Sequence, residues 1–196
     1  LTNFITKYTL GGEIKSTKWT SDGNSLSTRF ISGDKSVVGK VELNKFSHLS
    51  PCELGVYNTG QLTSLLSVLG DDIEVNLSQS GDKFISMEFE DTNRKTKSKY
   101  MLSDLSVIPT PPALKNLPDT FELGIKVDPY FVNTFISGKG ALSEAETFTI
   151  LTENGETKIV IGYASIASNR VTIPVETTKS ADIEPISFNA NMFASI

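Results

Sequence analysis

The chain has 196 residues, 38% of them apolar, and a formal net charge of −5 at pH 7. That length suits one large domain or two small ones with a real core, and the acidic balance excludes a generally basic nucleic-acid binder while leaving room for a local basic surface. There is no apolar run long enough to span a membrane, the opening LTNFITKYTLGGEIK is too polar for a secretory signal, and a lone cysteine, Cys52, excludes an intrachain disulfide and suits a reducing cytoplasm.

Leu1, Phe4, Ile5 and Tyr8 follow the i, i+3, i+4, i+7 spacing of an amphipathic helix, which Gly11-Gly12 ends. Strands are predicted over 13–20, 25–32 and 36–43, with SDGN and SGDK as the turns between them. A strand near 52–57 and a helix over 59–69 follow. DIEVNLS, KFISMEFE and KTKSKYML then read as three more strands, joined by SQSGD and DTNR. The stretch 103–119 carries prolines at 109, 111, 112 and 118, which a central strand does not accept, and reads as an extended, semi-rigid connector. After it come a strand over 120–127, a helix over 129–142, strands over 146–152, 157–164 and 170–176, a strand over 185–188 and a helix from 190. TENGE, 152–156, is a hairpin turn. Leu1 in place of Met, and a stop inside a helical pattern at Ile196, lead to the expectation that both ends are incomplete.

One phrase recurs. VYNTGQLTSLL (56–66), KVDPYFVNTFI (126–136) and SFNANMFASI (187–196) align on Asn58, Asp128 and Asn189, each a good N-cap after a strand-like run. Apolar residues follow at shared offsets: Leu62, Val132 and Phe193, then Leu65, Phe135 and Ile196, then Leu66 and Ile136. They predict one buried stripe written three times. ELG precedes the cap at 53–55 and again at 122–124. The unit is therefore strand, helix, three strands, in an α+β fold with antiparallel sheets and helices on one face. The expected domains are 1–102 and 120–196, joined by the 103–119 connector.

Catalytic constellations are scarce. His48 is the only histidine, and Pro51 keeps it from sharing a regular helical face with Cys52. GDKSVVGK (33–40) has the wrong glycine spacing for a phosphate loop and Val41 where Ser or Thr belongs. No Gly-x-Ser-x-Gly elbow is present, and Asn76-Leu77-Ser78 is a sequon without a secretory context. The chain is expected to be no enzyme, with no metal and no cofactor.

The informative feature is where acids are missing. Asp and Glu make up 23 residues of the chain, yet segments 1–10, 60–69, 128–142 and 189–196 hold one, the cap Asp128, where an even spread would place about five. Their outward positions are instead Asn3, Thr6, Lys7, Thr63, Ser64, Ser67, Asn133, Ser137, Lys139, Asn191 and Ser195. Small polar groups and a few lysines suit contact with the phosphates of a polyanion without base reading. NRKTKSK (93–99) adds Arg94, Lys95, Lys97 and Lys99, which read either as DNA contacts or as a solvated, aggregation-resistant edge.

This pattern resembles the DNA polymerase sliding clamps, above all those of large tailed bacteriophages, which serve replication and late transcription. The resemblance is carried by CELGVYNTGQLTSLLSVLGDDIEV, by VIPTPPALKNLPDTFELGIKVDPYFVNTFISG and by PISFNANMFASI. It covers nearly the whole chain as pattern, without an invariant signature. It implies a clamp fold: a homotrimeric ring of two-domain subunits, helices lining a hole around double-stranded DNA, sheets outside. It also implies a replicative DNA polymerase and an ATP-dependent clamp loader as partners, late-transcription factors among the others, and the cytoplasm of an infected bacterial host. In that frame Lys7, Lys139, Asn3, Thr63, Ser67, Asn133, Ser137, Asn191 and Lys126 would face DNA. Partner tails dock in an apolar pocket on such clamps, and Val107, Ile108, Pro109, Pro112 and Leu114 are its candidate walls here, although a connector simply packed on its domain would look alike. The rival is a non-enzymatic β-rich structural phage protein of tail or capsid.

Overall fold

The structure is a computed structural model. It describes all residues but 71, 114–119, 165, 167, 180 and 196. Among the described residues the protein is α+β, with mainly antiparallel sheets and four α-helices. It divides into two compact units, Leu1–Leu114 and Lys115–Ile196.

Unit 1 opens with helix α1 (Thr2–Thr9), stopped where Leu10 and Gly11 turn left-handed. Strands β1 (Thr17–Ser21), β2 (Ser25–Ile31) and β3 (Val38–Asn44) form a meander, and β4 (Cys52–Val56) pairs back onto β1, giving the order β3-β2-β1-β4. Helix α2 (Thr59–Leu66) follows, then a second antiparallel sheet of β5 (Ile73–Ser80), β6 (Lys83–Asp91) and β7 (Lys97–Met101). The two sheets meet where Gly55 bridges Ser103, whose N–H donates to the Gly55 carbonyl at 2.9 Å. A side chain at position 55 would run into the Ser103 backbone, so the seam requires glycine. Alternation places Trp19, Leu26, Leu54 and Val56 from the first sheet, and Met87, Phe89 and Tyr100 from the second, in one core with Phe4, Ile5 and Tyr8 of α1 and Leu62 and Leu66 of α2.

Hydrogen bonds inside this core lock the helices to the sheet. Trp19 Nε1 donates to the Tyr8 hydroxyl at 3.2 Å, and that hydroxyl lies 3.5 Å from Thr59 Oγ1. Thr59 Oγ1 and the Thr59 N–H both donate to the Lys15 carbonyl. Burial pushes the Tyr8 phenol up to about 12, so it stays a neutral donor. The Tyr100 hydroxyl likewise binds the backbone of the cap residue, taking the Asn58 N–H at 2.9 Å and donating to its carbonyl.

Unit 2 repeats the first half of unit 1. Helix α3 (Pro129–Ala141) leads into β9 (Thr147–Glu153), β10 (Glu156–Ile161) and β11 (Val171–Pro174), and β13 (Ile186–Asn189) pairs back onto β9 before helix α4 (Ala190–Ala194). The order β11-β10-β9-β13 is the order β3-β2-β1-β4 again. The equivalence extends to single bonds: Thr59 N–H to Lys15 carbonyl at 2.9 Å is matched by Ala190 N–H to Glu146 carbonyl at 2.8 Å.

Two expectations need correction. The strand predicted over 120–127 is only β8 (Gly124–Ile125), and it pairs with β12 (Thr177–Lys179), a strand the sequence did not announce. In α3 the buried residues are Phe131, Phe135, Gly138 and Lys139, while Val132 and Ile136 of the predicted stripe are exposed. Phe131, Phe135 and Leu142 share a face with their own helical spacing, and the larger aromatic stripe takes the core. Ile196 lies outside the described residues.

The β6–β7 hairpin is fastened to the end of α2 by Asp91, which is 1% exposed. Its carboxylate accepts the N–H groups of Arg94 and Asn93 within the turn and of Gly70 at 2.8 Å. These donors, the Arg94 amide foremost, hold its pKa below the usual carboxylate range. A depressed folded pKa contributes stability above the unfolded value, and that contribution is lost as pH falls through the folded one. Asp91→Asn is therefore expected to lower the melting temperature at pH 7, and the gap from wild type should close as thermal melts are repeated at progressively more acid pH.

Candidate nucleic-acid interface

All three phrase caps form as the sequence predicts. Asn58 accepts from the Gln61 N–H at 3.0 Å, Asp128 from the Phe131 N–H at 2.7 Å and Asn189 from the Met192 N–H at 2.9 Å. Pro129 opens α3, where a missing N–H costs nothing. α1 contacts α2 in unit 1, and α3 contacts α4 in unit 2. None of the four helices contains Asp or Glu. Each unit therefore presents a pair of helices with no carboxylate of their own.

Of the residues assigned to that surface, Asn3, Lys7, Ser67, Asn133, Ser137 and Asn191 are exposed, and Thr63 is half-buried. Several hydroxyls along these helices are turned inward, however. Thr6 Oγ1 donates to the Thr2 carbonyl, Thr63 to Thr59, Ser64 to Gly60, Ser67 to Ser64, Thr134 to Tyr130 and Ser195 to Asn191, all between 2.8 and 3.0 Å. A hydroxyl has one proton to give. With it committed to the helix backbone, such a group offers outward lone pairs, not the phosphate-binding donor that its residue type suggests. The exposed donors left among the assigned helix residues are Asn3, Lys7, Asn133, Ser137 and Asn191.

Two lysines depart from the expected surface. Lys139 is buried, 9% exposed, and its ammonium donates to the carbonyls of Ser143 at 2.7 Å and Leu142 at 3.5 Å. It closes the C-terminal end of α3, where a cation also meets the negative end of the helix dipole. Lys126 is exposed but pairs with Glu176 at 3.0 Å. The 93–99 hairpin is similarly compensated: Lys97 lies 2.9 Å and Lys95 4.0 Å from Glu90, and Lys99 2.8 Å from Glu88. Lys95 sits in the turn with a positive φ of 58°, so only Lys97 and Lys99 share a strand face. Those lysine bonds hold both glutamates below the usual carboxylate range. Arg94, exposed in the same turn, acts on Asp91. The hairpin's edge reading fits this cross-strand ladder better than its DNA reading.

The connector, as far as it is described, is strapped to unit 1. Lys18 Nζ donates to Thr110 Oγ1 at 3.0 Å, and the Arg29 guanidinium binds the carbonyls of Pro111 and Pro112. Ile108 is 2% exposed, whereas Val107, Pro109 and Pro112 are exposed; Leu114 lies outside the described residues. A groove the sequence did not reveal lies at the seam of the two sheets, about 400 Å³ in volume. Phe84, Ile85 and Leu102 line it, with the Lys83–Asp104 ion pair at its rim. Its residues come from β4, β6 and the segment after β7, joined by the Gly55–Ser103 bridge and by the Leu102 N–H, which donates to the Ile85 carbonyl at 2.9 Å.

Among the described residues no group of three His, Cys, Asp or Glu side chains is placed to hold a metal, and no helix is long and apolar enough to cross a membrane. No protein-family model matches the chain, nor does any curated protein.

The role of Lys139 has a measurable consequence. Lys139→Met keeps the packed stem but leaves two carbonyls without their donor, and should cost about 2 kcal/mol in urea unfolding. Lys139→Glu should cost more, because it sets an anion against the helix C-terminus.

Proposed function

We propose that the chain is a sliding clamp of the kind found in large tailed bacteriophages. In this reading it is a subunit without catalytic activity that closes as a homotrimer around duplex DNA and tethers the replicative polymerase. The observation carrying this reading is the pairing of helices wholly free of carboxylates in both units, each pair resting on a sheet of the same strand order. A polyanion is repelled by surface acids, and a chain of net charge −5 that keeps them off these four helices has a reason to do so. The inward-turned hydroxyls suit the same reading. Each phosphate-bound cation steepens the salt dependence of binding by about 0.9 in log–log slope, and each strong contact resists displacement along the duplex. A face with few donors holds DNA loosely, and retention then rests on ring closure.

Loading such a ring takes a partner ATPase, and the site of action is the cytoplasm of the infected host. For the tails of polymerase and loader, the seam groove of unit 1, with an apolar floor and a charged rim, is a candidate seat beside the connector.

The scarcity of outward cations is the one observation that favours the rival reading, a β-rich structural phage protein of tail or capsid. Lys7→Glu combined with Asn133→Glu separates the two. On the clamp reading this variant keeps the trimer mass in sedimentation and shortens the products of processive primer extension about tenfold at moderate salt. Replacing Lys95, Lys97 and Lys99 by Ala should leave extension unchanged. If the helix-face variant extends primers as well as wild type, the DNA-facing assignment fails; if polymerase is indifferent to the protein altogether, the structural reading stands.

A further inference from the structure

The first sheet of unit 1 carries a line of three cations on its outer face. Lys18 of β1 stands opposite Arg29 of β2, and Arg29 stands opposite Lys40 of β3. Their strand neighbours Trp19, Thr28 and Phe30 are buried, so by alternation the three point away from the core. Like charges set directly opposite one another destabilise a sheet, so its own stability gives no reason for this row. Two of the three also lack a counter-charge. Lys40 binds Glu42 at 2.6 Å, but among the described residues neither Lys18 nor Arg29 is in an ion pair. Lys18 Nζ donates to the Thr110 hydroxyl at 3.0 Å, and Arg29 Nη2 to the carbonyls of Pro111, at 3.3 Å, and Pro112. These acceptors are neutral. Arg29 Nε is buried and has no acceptor.

The connector follows the same line. Ser103 meets Gly55 of β4, which stands opposite Lys18; Thr110 then lies on Lys18, and Pro111 and Pro112 on Arg29. Lys40 is next along it. We propose that this row is the seat of an acidic segment of a partner protein, whose carboxylates displace the proline carbonyls from Arg29 and bridge Lys18 and Lys40. A carboxylate takes two parallel bonds from a guanidinium, each about twice as strong as one to a neutral acceptor, and gives Nε the partner it lacks. Strands lie about 4.8 Å apart, so the row spans roughly 10 Å. Two acidic side chains two or three residues apart in an extended peptide cover that span. Charge on the flanks favours a peptide over a nucleic acid. Glu42 and Glu53, both exposed, stand two residues along β3 and β4 from the row and narrow the positive strip to a single line. A duplex is broader and would set phosphates against them. The inference rests on unit 1 alone and is independent of the clamp reading.

The test is a titration of the wild-type protein with a short fluorescein-labelled peptide that alternates Glu and Ser. Anisotropy should report saturable binding that weakens as salt is raised. In a parallel NMR titration the Arg29 Nε–H resonance should move downfield, the mark of a new bond to a charged acceptor. Lys18→Gln combined with Lys40→Gln keeps a donor for Thr110 but removes two charges. It should weaken peptide binding about tenfold with little change in melting temperature. Replacing Lys95, Lys97 and Lys99 by Ala should leave binding unchanged. Absence of saturable binding to wild type, an Arg29 resonance that stays in place, or a double variant that binds as wild type does would each overturn the proposal. Displacement of the peptide by duplex DNA at matched charge concentration would assign the row to phosphates and overturn it equally.

Discussion

The hydrogen-bonded line from Trp19 through Tyr8 to Thr59 and the Lys15 carbonyl is the constraint on which unit 1 depends. It crosses the core from the sheet through one helix to the first residue of the next. A buried indole N–H and a buried phenol each need a partner, and they satisfy one another only when α1, β1 and the start of α2 stand in one arrangement. Greasy contact alone would tolerate a helix rolled by a few tens of degrees; this line does not. The polar faces of α1 and α2 are aimed as a by-product of satisfying groups they never touch. Unit 2 holds the corresponding helices differently, with Phe131, Phe135, Phe148 and Phe193 meeting edge-on or tilted. Such contacts are less demanding of angle than a hydrogen bond.

How far the sequence could be read follows from how local each cause is. Asn58, Asp128 and Asn189 were legible because a cap is made by a side chain and an amide three residues on. The meander turns were legible for the same reason. The α3 stripe was not. Its sequence carries apolar residues on two faces, and periodicity cannot choose between Val132 with Ile136 and Phe131 with Phe135; packing against Phe148 and Phe193 chooses. Lys139 was misplaced because nothing near it in sequence shows that the chain after α3 turns back to bring two carbonyls within reach of its ammonium. The strand 120–127 failed because ELG repeats without its pairing partner: β4 finds β1, whereas β8 finds only β12.

The hydroxyl pattern was legible in principle and was missed. Ser and Thr inside helices routinely donate to a carbonyl one turn back. Counting them as outward donors overstated the binding power of these faces, and together with the burial of Lys139 it changes the character of the surface from weakly basic to nearly neutral. The Arg29–Pro112 strap is the opposite case. A stretch that composition marks as a linker is, through residue 112, a fitted part of unit 1, because a guanidinium fork can hold two proline carbonyls that have no strand to pair with.

A surface without carboxylates or imidazoles has one more property. Between mildly acid and mildly alkaline conditions, those are the side chains whose charge responds to a change of protons. The four helices carry neither, so acid strong enough to protonate Glu88, Glu90 and Asp91 changes the sheet's ion pairs and the hairpin turn while the side chains of these helices keep their charge. Whatever rests against them meets the same electrostatic ground throughout.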